Sequence, residues 1–266
     1  MENRPLISVI MGIYNCADTL EAAVNCIISQ TYDNWELIMC DDGSRDDTYQ
    51  KALDIAKGDS RITVLRNEQN ITLAPTLNKC LAVAKGKFIA RMDGDDICDP
   101  RRFEKELEIL QNNLEYAIVS CYMNLADANG VFRMVKYPER PKMKDFIEDS
   151  MFCHAAAMFR TDAIRSIGGY SESPKRKRVE DYDLWIRMYA AGFKGYNIQE
   201  ALYTMIDDVS AYKRRNFSTR LNGCRVRLKA CKYSGTGIIG YLKCFIPLIK
   251  WFVPSFTYKL IHRGRQ

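Results

Sequence analysis

Histidine is nearly absent from this chain of 266 residues: only His154 and His262 occur. A histidine-rich zinc site or a Ser-His-Asp triad would have little to draw on. Ten cysteines are scattered without one Cys-x-x-Cys pair. Several of them, Cys16, Cys26, Cys40, Cys80 and Cys121, fall on apolar faces, where a free thiol behaves as a small hydrophobe. Residues Met1 to Pro5 are polar, and the apolar run Leu6 to Ile13 is too short for a secretory signal and lacks a small-residue cleavage site. With no disulfide-like framework either, the expected compartment is a reducing cytosol. No Gly-x-Gly-x-x-Gly follows the first apolar run, and no Gly-x-x-x-x-Gly-Lys-Ser/Thr occurs anywhere. Dinucleotide and P-loop readings therefore lose their main support. Acidic residues also run out: no Asp or Glu follows Asp208, so residues 1–208 carry a net −7 and the remainder +13.

What is present is ample apolar material. Hydrophobic residues make up 47% of the chain, enough for one sizeable core with a subdomain or tail added. Leu6–Met11, Trp35–Cys40, Arg61–Leu65 and Lys87–Ala90 read as strands, being short and rich in β-branched and apolar residues. Helical spacing fills the gaps. Asp18 and Glu21 form a capping-box pattern before a helix running to about Gln30, a second helix covers about Asp47–Lys57, and Pro75 opens a third that stops near Gly86. The first hundred residues thus alternate β-α-β-α-β-α-β, which predicts a parallel sheet with right-handed crossovers. Ligands of such sheets bind outside the carboxyl ends of the strands, where Tyr14, Asp42 and the turn Arg91-Met92-Asp93-Gly94-Asp95-Asp96 all fall.

That turn holds three carboxylates within four residues. They repel one another unless a cation sits among them, and Mg²⁺ and Mn²⁺ favour such oxygen ligands and often complete their shells with substrate phosphates. An acidic turn followed by a helix cap, with Asp99 as N-cap and Pro100 at the first helical position, is the structural alternative. Farther on, Ala117–Asp127 and Val131–Tyr137 read as a hairpin around Asn129-Gly130. Met151–Arg160 reads as a strand containing His154, Ala163–Ile167 as a short helix ended by Gly168-Gly169, and Ser171–Arg178 as a mobile basic loop, either solvated or closing over phosphates. Glu180-Asp181 opens a helix to about Ala191, where acidic residues suit the dipole whether or not they do chemistry.

Five segments together, in this order, resemble family 2 glycosyltransferases, and within them the capsule and exopolysaccharide enzymes of the EpsE type. They are Ser8–Asn15, Trp35–Ile38 with Asp41-Asp42-Gly43-Ser44, Ala90–Asp96, Gly168-Gly169-Tyr170, and Glu180–Trp185. The family likeness covers about residues 6–205; the closer one continues from Gly195–Tyr203 to Lys213-Arg214-Arg215. The resemblance implies a GT-A fold: an α/β, Rossmann-like, mostly parallel sheet flanked by helices, here with a helical C-terminal tail. It also implies a nucleotide-sugar donor, with a UDP-sugar favoured, a divalent cation (Mn²⁺ or Mg²⁺) and inversion at the anomeric carbon. Carried over, Tyr14 flanks the base, Asp42 accepts a hydrogen bond from it, Asp93 faces the ribose, Asp95 binds the metal, and Asp181 is the general base. The chain departs from the wider pattern at Gly12, where proline is common, and at Met205-Ile206-Asp207-Asp208, where Arg-x-His is common. Lys213-Arg214-Arg215 could supply the phosphate contacts so lost, or form a solvated helix face.

The expected division is a catalytic domain over 1–208, with a nucleotide-binding half to about residue 100 and an acceptor-side half beyond it, followed by a basic, apolar helical extension over 209–266. From Gly237 to Ile261 basic residues interleave with Trp, Phe, Ile and Leu, and the uncharged run Trp251–Tyr258 is far short of the ~20 residues that span a bilayer. That pattern suits the inner face of a membrane, or helices packed on the catalytic domain. No nucleic-acid motif accompanies the charge. The function so expected is transfer of a sugar to a saccharide or lipid-linked acceptor in surface polysaccharide assembly. A nucleotidyltransferase, or a non-catalytic protein that keeps the fold, is the alternative.

Overall fold

The computed structural model describes residues 4–206 and 217–249. Asp207, Asp208, Lys213, Arg214, Arg215 and the run Trp251–Tyr258, all singled out above, lie outside the described residues. The first hundred residues fold as the alternation predicts: β1 (Ile7–Ile13), α1 (Leu20–Ile28), β2 (Trp35–Asp41), α2 (Thr48–Gly58), β3 (Ile62–Arg66), α3 (Leu73–Val83) and β4 (Phe88–Arg91). β1 pairs in parallel with β2 on one side and β4 on the other, and β2 with β3. The chain order therefore reverses beside β1, which opens a crevice at the carboxyl ends of β1 and β4.

Beyond β4 come β5 (Ile97–Cys98), α4 (Arg102–Asn112), β6 (Tyr116–Asp127), β7 (Gly130–Val135), β8 (Met158–Arg160), α5 (Thr161–Ser166), α6 (Glu180–Ala190) and β9 (Lys194–Ile206). They extend the sheet to nine strands in the order β3-β2-β1-β4-β8-β6-β9-β5, with β7 hairpinned to β6. This second part is mostly antiparallel; only β6 and β9 run parallel there. Both faces of the sheet are covered. Val9, Met11 and Ile13 of β1 point to a core shared with Leu20 and Val24 of α1 and with Phe103 and Leu107 of α4. Ile10, Ile38 and Ile89 point the other way, to Leu77 and Leu81 of α3 and Trp185 of α6. A strand buried on both faces calls for a near-continuous apolar run, and β1 supplies one interrupted only by Ser8, whose hydroxyl donates to the Glu36 carboxylate (2.6 Å). The C-terminal helices α7 (Phe217–Ser234), α8 (Ile238–Lys243) and α9 (Ile246–Ile249) follow. Val226 and Ala230 of α7 are part of the second core.

Several local expectations are corrected. Asp18 does not cap α1. Thr19 occupies that position, and its hydroxyl donates to the carbonyls of Cys16 (3.2 Å) and Gly94 (3.0 Å), joining the helix start to the acidic turn. α4 begins two residues after the predicted start, because the Asp99 carboxylate accepts from the Arg101 N–H (2.8 Å) in a tight turn ahead of it. α3 ends at Val83, so Gly86 is not its cap. A Cβ on Gly86 would lie 2.6 Å from the Ser8 nitrogen, so the glycine is there for close approach to β1. His154 lies in a single 3-10 turn, His154–Ala156, and the strand is confined to Met158–Arg160. The basic segment before α6 is anchored, not loose: it forms a 3-10 turn, Pro174–Arg176, whose Arg176 pairs with Asp183.

Candidate active site

Four loops meet at the carboxyl edge of the parallel strands. The loop after β1 is tied to the loop after β2: the Asn15 N–H donates to Ser44 Oγ (3.0 Å), and the Arg45 N–H donates to Asn15 Oδ1 (2.9 Å). These bonds hold Tyr14 at the rim, where it is exposed. Asp42 is buried beneath them. It accepts from Asn67 Nδ2 (2.9 Å) and from the N–H groups of Ile71 (2.8 Å) and Thr72 (3.0 Å). A carboxylate has about four acceptor sites, so one is left for another donor. Gly43 turns the chain with φ 70°, and a Cβ there would meet the Gln69 backbone at 2.7 Å.

The acidic turn differs residue by residue. Asp95 is exposed, Asp93 half-buried and Asp96 buried, and one oxygen from each lies within 4.8 Å of the others. Asp93 pairs with Arg91. Asp96 accepts from the Tyr203 hydroxyl (2.9 Å) and the Ile206 N–H (2.9 Å), so it fastens the turn to the end of β9. Burial first, then the charges of Asp93 and Asp95, push the Asp96 carboxyl up to about 7. This donor set fits a hard cation: all oxygen, clustered, and open on the side of Asp95. Gly94 keeps the turn against β1, since a Cβ would lie 3.0 Å from both Cys16 Sγ and Ile13 Cγ2.

Asp181 arrives from far along the chain, in the first turn of α6. Burial and the neighbouring Glu180 charge push its carboxyl up to about 7, against the backbone N–H groups of Tyr182 and Asp181 and the charge of Arg91. Arg91 is the centre of the arrangement. Its side chain is 1% exposed at the end of β4 and paired with Asp93, and its charge also bears on Asp181, Glu180, Tyr170 and His154. Tyr170 in turn feels Asp181, Glu180 and Asp93 together. The acidic turn and the start of α6 therefore share one neighbourhood. His154 Nε2 lies 2.9 Å from the Tyr170 hydroxyl, and burial, with Arg91, holds the imidazole well below its usual range and so neutral.

The family model for glycosyl transferase family 2 matches residues 8–168, which takes in the loops bearing Tyr14 and Asp42 and the acidic turn. The chain belongs to glycosyl transferase family 2. It is 40% identical to EpsE of Bacillus subtilis (strain 168) over 266 residues, all of this chain and 96% of that one. It is 31% identical over 194 residues to the Escherichia coli UDP-Glc:alpha-D-GlcNAc-diphosphoundecaprenol beta-1,3-glucosyltransferase WfaP, covering 72% of this chain and 73% of WfaP. Among solved structures, S. aureus TarS 1-349 in complex with UDP superposes with a TM-score of 0.69 at 17% identity, covering 94% of this chain and 73% of TarS 1-349. The mannosyltransferase PcManGT from Pyrobaculum calidifontis, in complex with GDP-Man and Mn2+, gives 0.65 at 17% identity, covering 99% and 80%. These likenesses establish the GT-A fold. As a family 2 glycosyltransferase the chain is an enzyme, so the nucleotidyltransferase and non-catalytic alternatives fall away.

Sequence reasoning missed three contributors. Arg91 enters the sequence pattern only as part of a motif, although an arginine ending a buried strand beside three aspartates is a usable signal. Asp183 is 1% exposed in its side chain and pairs with Arg176 (2.7 Å), Arg187 (2.7 Å) and Lys229 (3.1 Å). Burial would raise its carboxyl, but Arg187 and Lys229 outweigh that and lower it. Backbone strain is the third. Among the described residues, the non-glycine positions with left-handed φ are Asn15 (48°), Thr72 (79°) and Arg178 (67°). Asn15 follows Tyr14, the Thr72 N–H donates to Asp42, and Arg178 stands three residues before Asp181. Strain of this kind persists where the surroundings over-determine it, as at functional sites.

Proposed function

We propose that this enzyme transfers a hexosyl or N-acetylhexosaminyl group from a UDP-sugar, with inversion, to a saccharide or lipid-linked acceptor of a surface polysaccharide. The convergence of the acidic turn and the first turn of α6 on the buried Arg91 carries the reading. Tyr14 stacks on the base, and the remaining acceptor site of Asp42 takes its N–H. Asp93, held by Arg91, faces the ribose side. Asp95, with Asp93 beside it, holds Mn²⁺ or Mg²⁺; when bound, the cation offsets the charge that develops on the departing diphosphate. Asp181 takes the proton from the acceptor hydroxyl as that oxygen bonds to the anomeric carbon and the carbon–oxygen bond to the diphosphate breaks. Its raised pKa suits a base working near neutral pH. Holding donor and acceptor in line supplies much of the remaining rate.

A lipid-linked acceptor would put the work at the inner, cytoplasmic face of the cell membrane, with the protein peripheral to it; no helix among the described residues is long and apolar enough to cross a membrane. The division into a catalytic domain over 1–208 and an extension over 209–266 is part of this reading, with α7 bracing α6 through Lys229 and Asp183. The test is a panel of UDP- and GDP-sugars assayed for hydrolysis and for transfer to polyprenyl-diphosphate-linked sugars, with Mn²⁺ or Mg²⁺ and with EDTA. Metal-dependent release of UDP from one donor is expected. No release from any nucleotide sugar overturns the assignment.

A further inference from the structure

The helices α8 and α9 are packed inside out. A surface helix normally turns its apolar stripe toward the core. Here the inward residues are Gly240 and Cys244, one helical turn apart, with Cys244 Sγ 3.3 Å from Cys231 Sγ in α7. Large apolar side chains face out: Ile238 is 77% exposed, Ile239 69% and Leu242 65%, with Tyr241, Phe245 and Ile246 exposed beside them. The spacings 238, 242, 245 and 239, 242, 246 place them on one continuous stripe. A groove of about 590 Å³ runs along this stripe, between α8 and the segment bearing Lys144, Asp145, Ile147 and Glu148.

The charge around the stripe is of one sign along the chain. Residues 217–249 contain no acid; of their basic residues Arg227 and Lys229 are engaged with Asp149 and Asp183, whereas Lys232 and Lys243 are exposed, and the basic excess continues to the C-terminus. The acids nearby belong to the groove's other wall. Glu148 pairs with Lys243, with both side chains well exposed, the kind of ion pair that holds little. An uninterrupted aliphatic surface offers attraction without hydrogen-bonding specificity, and basic side chains beside it add attraction to anions. That pairing matches a bilayer of anionic lipid.

We infer that the exposed stripe of α8 and α9, flanked by the basic side chains of the C-terminal helices, is a docking face for the surface of an anionic membrane. It rests on the proposed function only in giving a lipid-linked acceptor a place to be met; the exposure and charge stand without it. The helices lie on the surface and do not span it.

Co-sedimentation of the full chain with vesicles tests it, using phosphatidylcholine alone or with about a third phosphatidylglycerol. The full chain is expected to bind the anionic vesicles and to release as salt is raised. The double variant Ile239→Glu with Leu242→Glu is expected to bind ~10-fold more weakly or less, with UDP-sugar hydrolysis unchanged. Leu114→Glu, which alters an isolated leucine 84% exposed elsewhere, is expected to bind as the full chain does. The inference is overturned if the double variant binds as well as the full chain, which would shift the contact to the apolar run 251–258. It is overturned equally if the double variant only converts a dimer to a monomer, which would mean that a second copy covers the stripe. Vesicle binding without hydrolysis of any nucleotide sugar sinks the proposed function and leaves this face standing; hydrolysis without stripe-dependent binding does the reverse.

Discussion

The proposed donor side and the proposed acceptor side of the site are held by different forces. Around Tyr14, Asp42 and the acidic turn, backbone amides and neighbouring loops do the holding: Asp42 is fixed by the Ile71 and Thr72 N–H groups, and the Tyr14 loop by the loop after β2. Around Asp181 the holding is done by side chains from distant segments. Trp185 is buried between Phe152 and Phe159, with ring centroids 5.2 and 5.5 Å away, and its indole N–H donates to Ser150 Oγ (3.1 Å). Asp183 gathers cations from the 3-10 turn before α6, from α6 itself and from α7. The donor half is thus set by the sheet, whereas the helix bearing the proposed base depends on the C-terminal region being in place.

The sharpest test of this contrast is Asp181→Asn. It should lower the turnover rate by ~10²–10⁴-fold while donor binding stays put and the melting temperature at neutral pH does not fall, since the raised carboxyl gives no stability there. Near-normal turnover would remove Asp181 from its role. In the wild type, the raised carboxyl must lose its proton to act. Activity should therefore rise as pH climbs through about 7 and fall away below it, and any residual activity of the variant should lack that limb.

Asp183→Asn comes next. It removes the one buried anion among three cations, an uncompensated arrangement that should cost about 3 kcal/mol in thermal or urea unfolding. The folded carboxyl is lowered, so its contribution is present above the ordinary carboxylate range and is lost as pH falls through the lowered value. The gap between variant and wild type should therefore close in acid; a gap constant with pH would reject the ion-pair account. Asp95→Ala should weaken nucleotide binding by ~100-fold in Mn²⁺ and not at all in EDTA, as titration calorimetry would read. An equal loss under both conditions would mean the donor side had simply lost structure. The smallest effect belongs to Thr72→Gly. Its φ of 79° with ψ of 167° is a region suited to glycine, so relieving it should stabilise the fold by ~1 kcal/mol, less if loop entropy offsets the gain.

Much of the donor half could be read directly. Its strands are short apolar runs, its helices have local periodicity, and the density of acid in Asp93–Asp96 is a pattern that a bound cation or an acidic turn would each account for. The misreadings were local as well. Asp18 and Glu21 fit a capping box, but Thr19 bonds to the Gly94 carbonyl instead, a partner 75 residues away. His154 sat in a run that looked like a strand, yet its ring is fixed by Tyr170 and Trp185 across the core. Lys175–Arg178 looked like solvated charge because nothing nearby in sequence predicts that Asp183 and Asn222 would hold that segment.

Sequence by itself determined the order of elements in the first hundred residues and which carboxylates stand at strand ends, because periodicity and turn chemistry act over a few residues. Only the tertiary structure decided that Asp181 would feel the charge of the buried arginine that pairs with Asp93, that α7 would brace the helix of the proposed base, and that α8 would leave its isoleucines in solvent. Each of those depends on which surfaces meet when distant segments pack, and no local pattern encodes that.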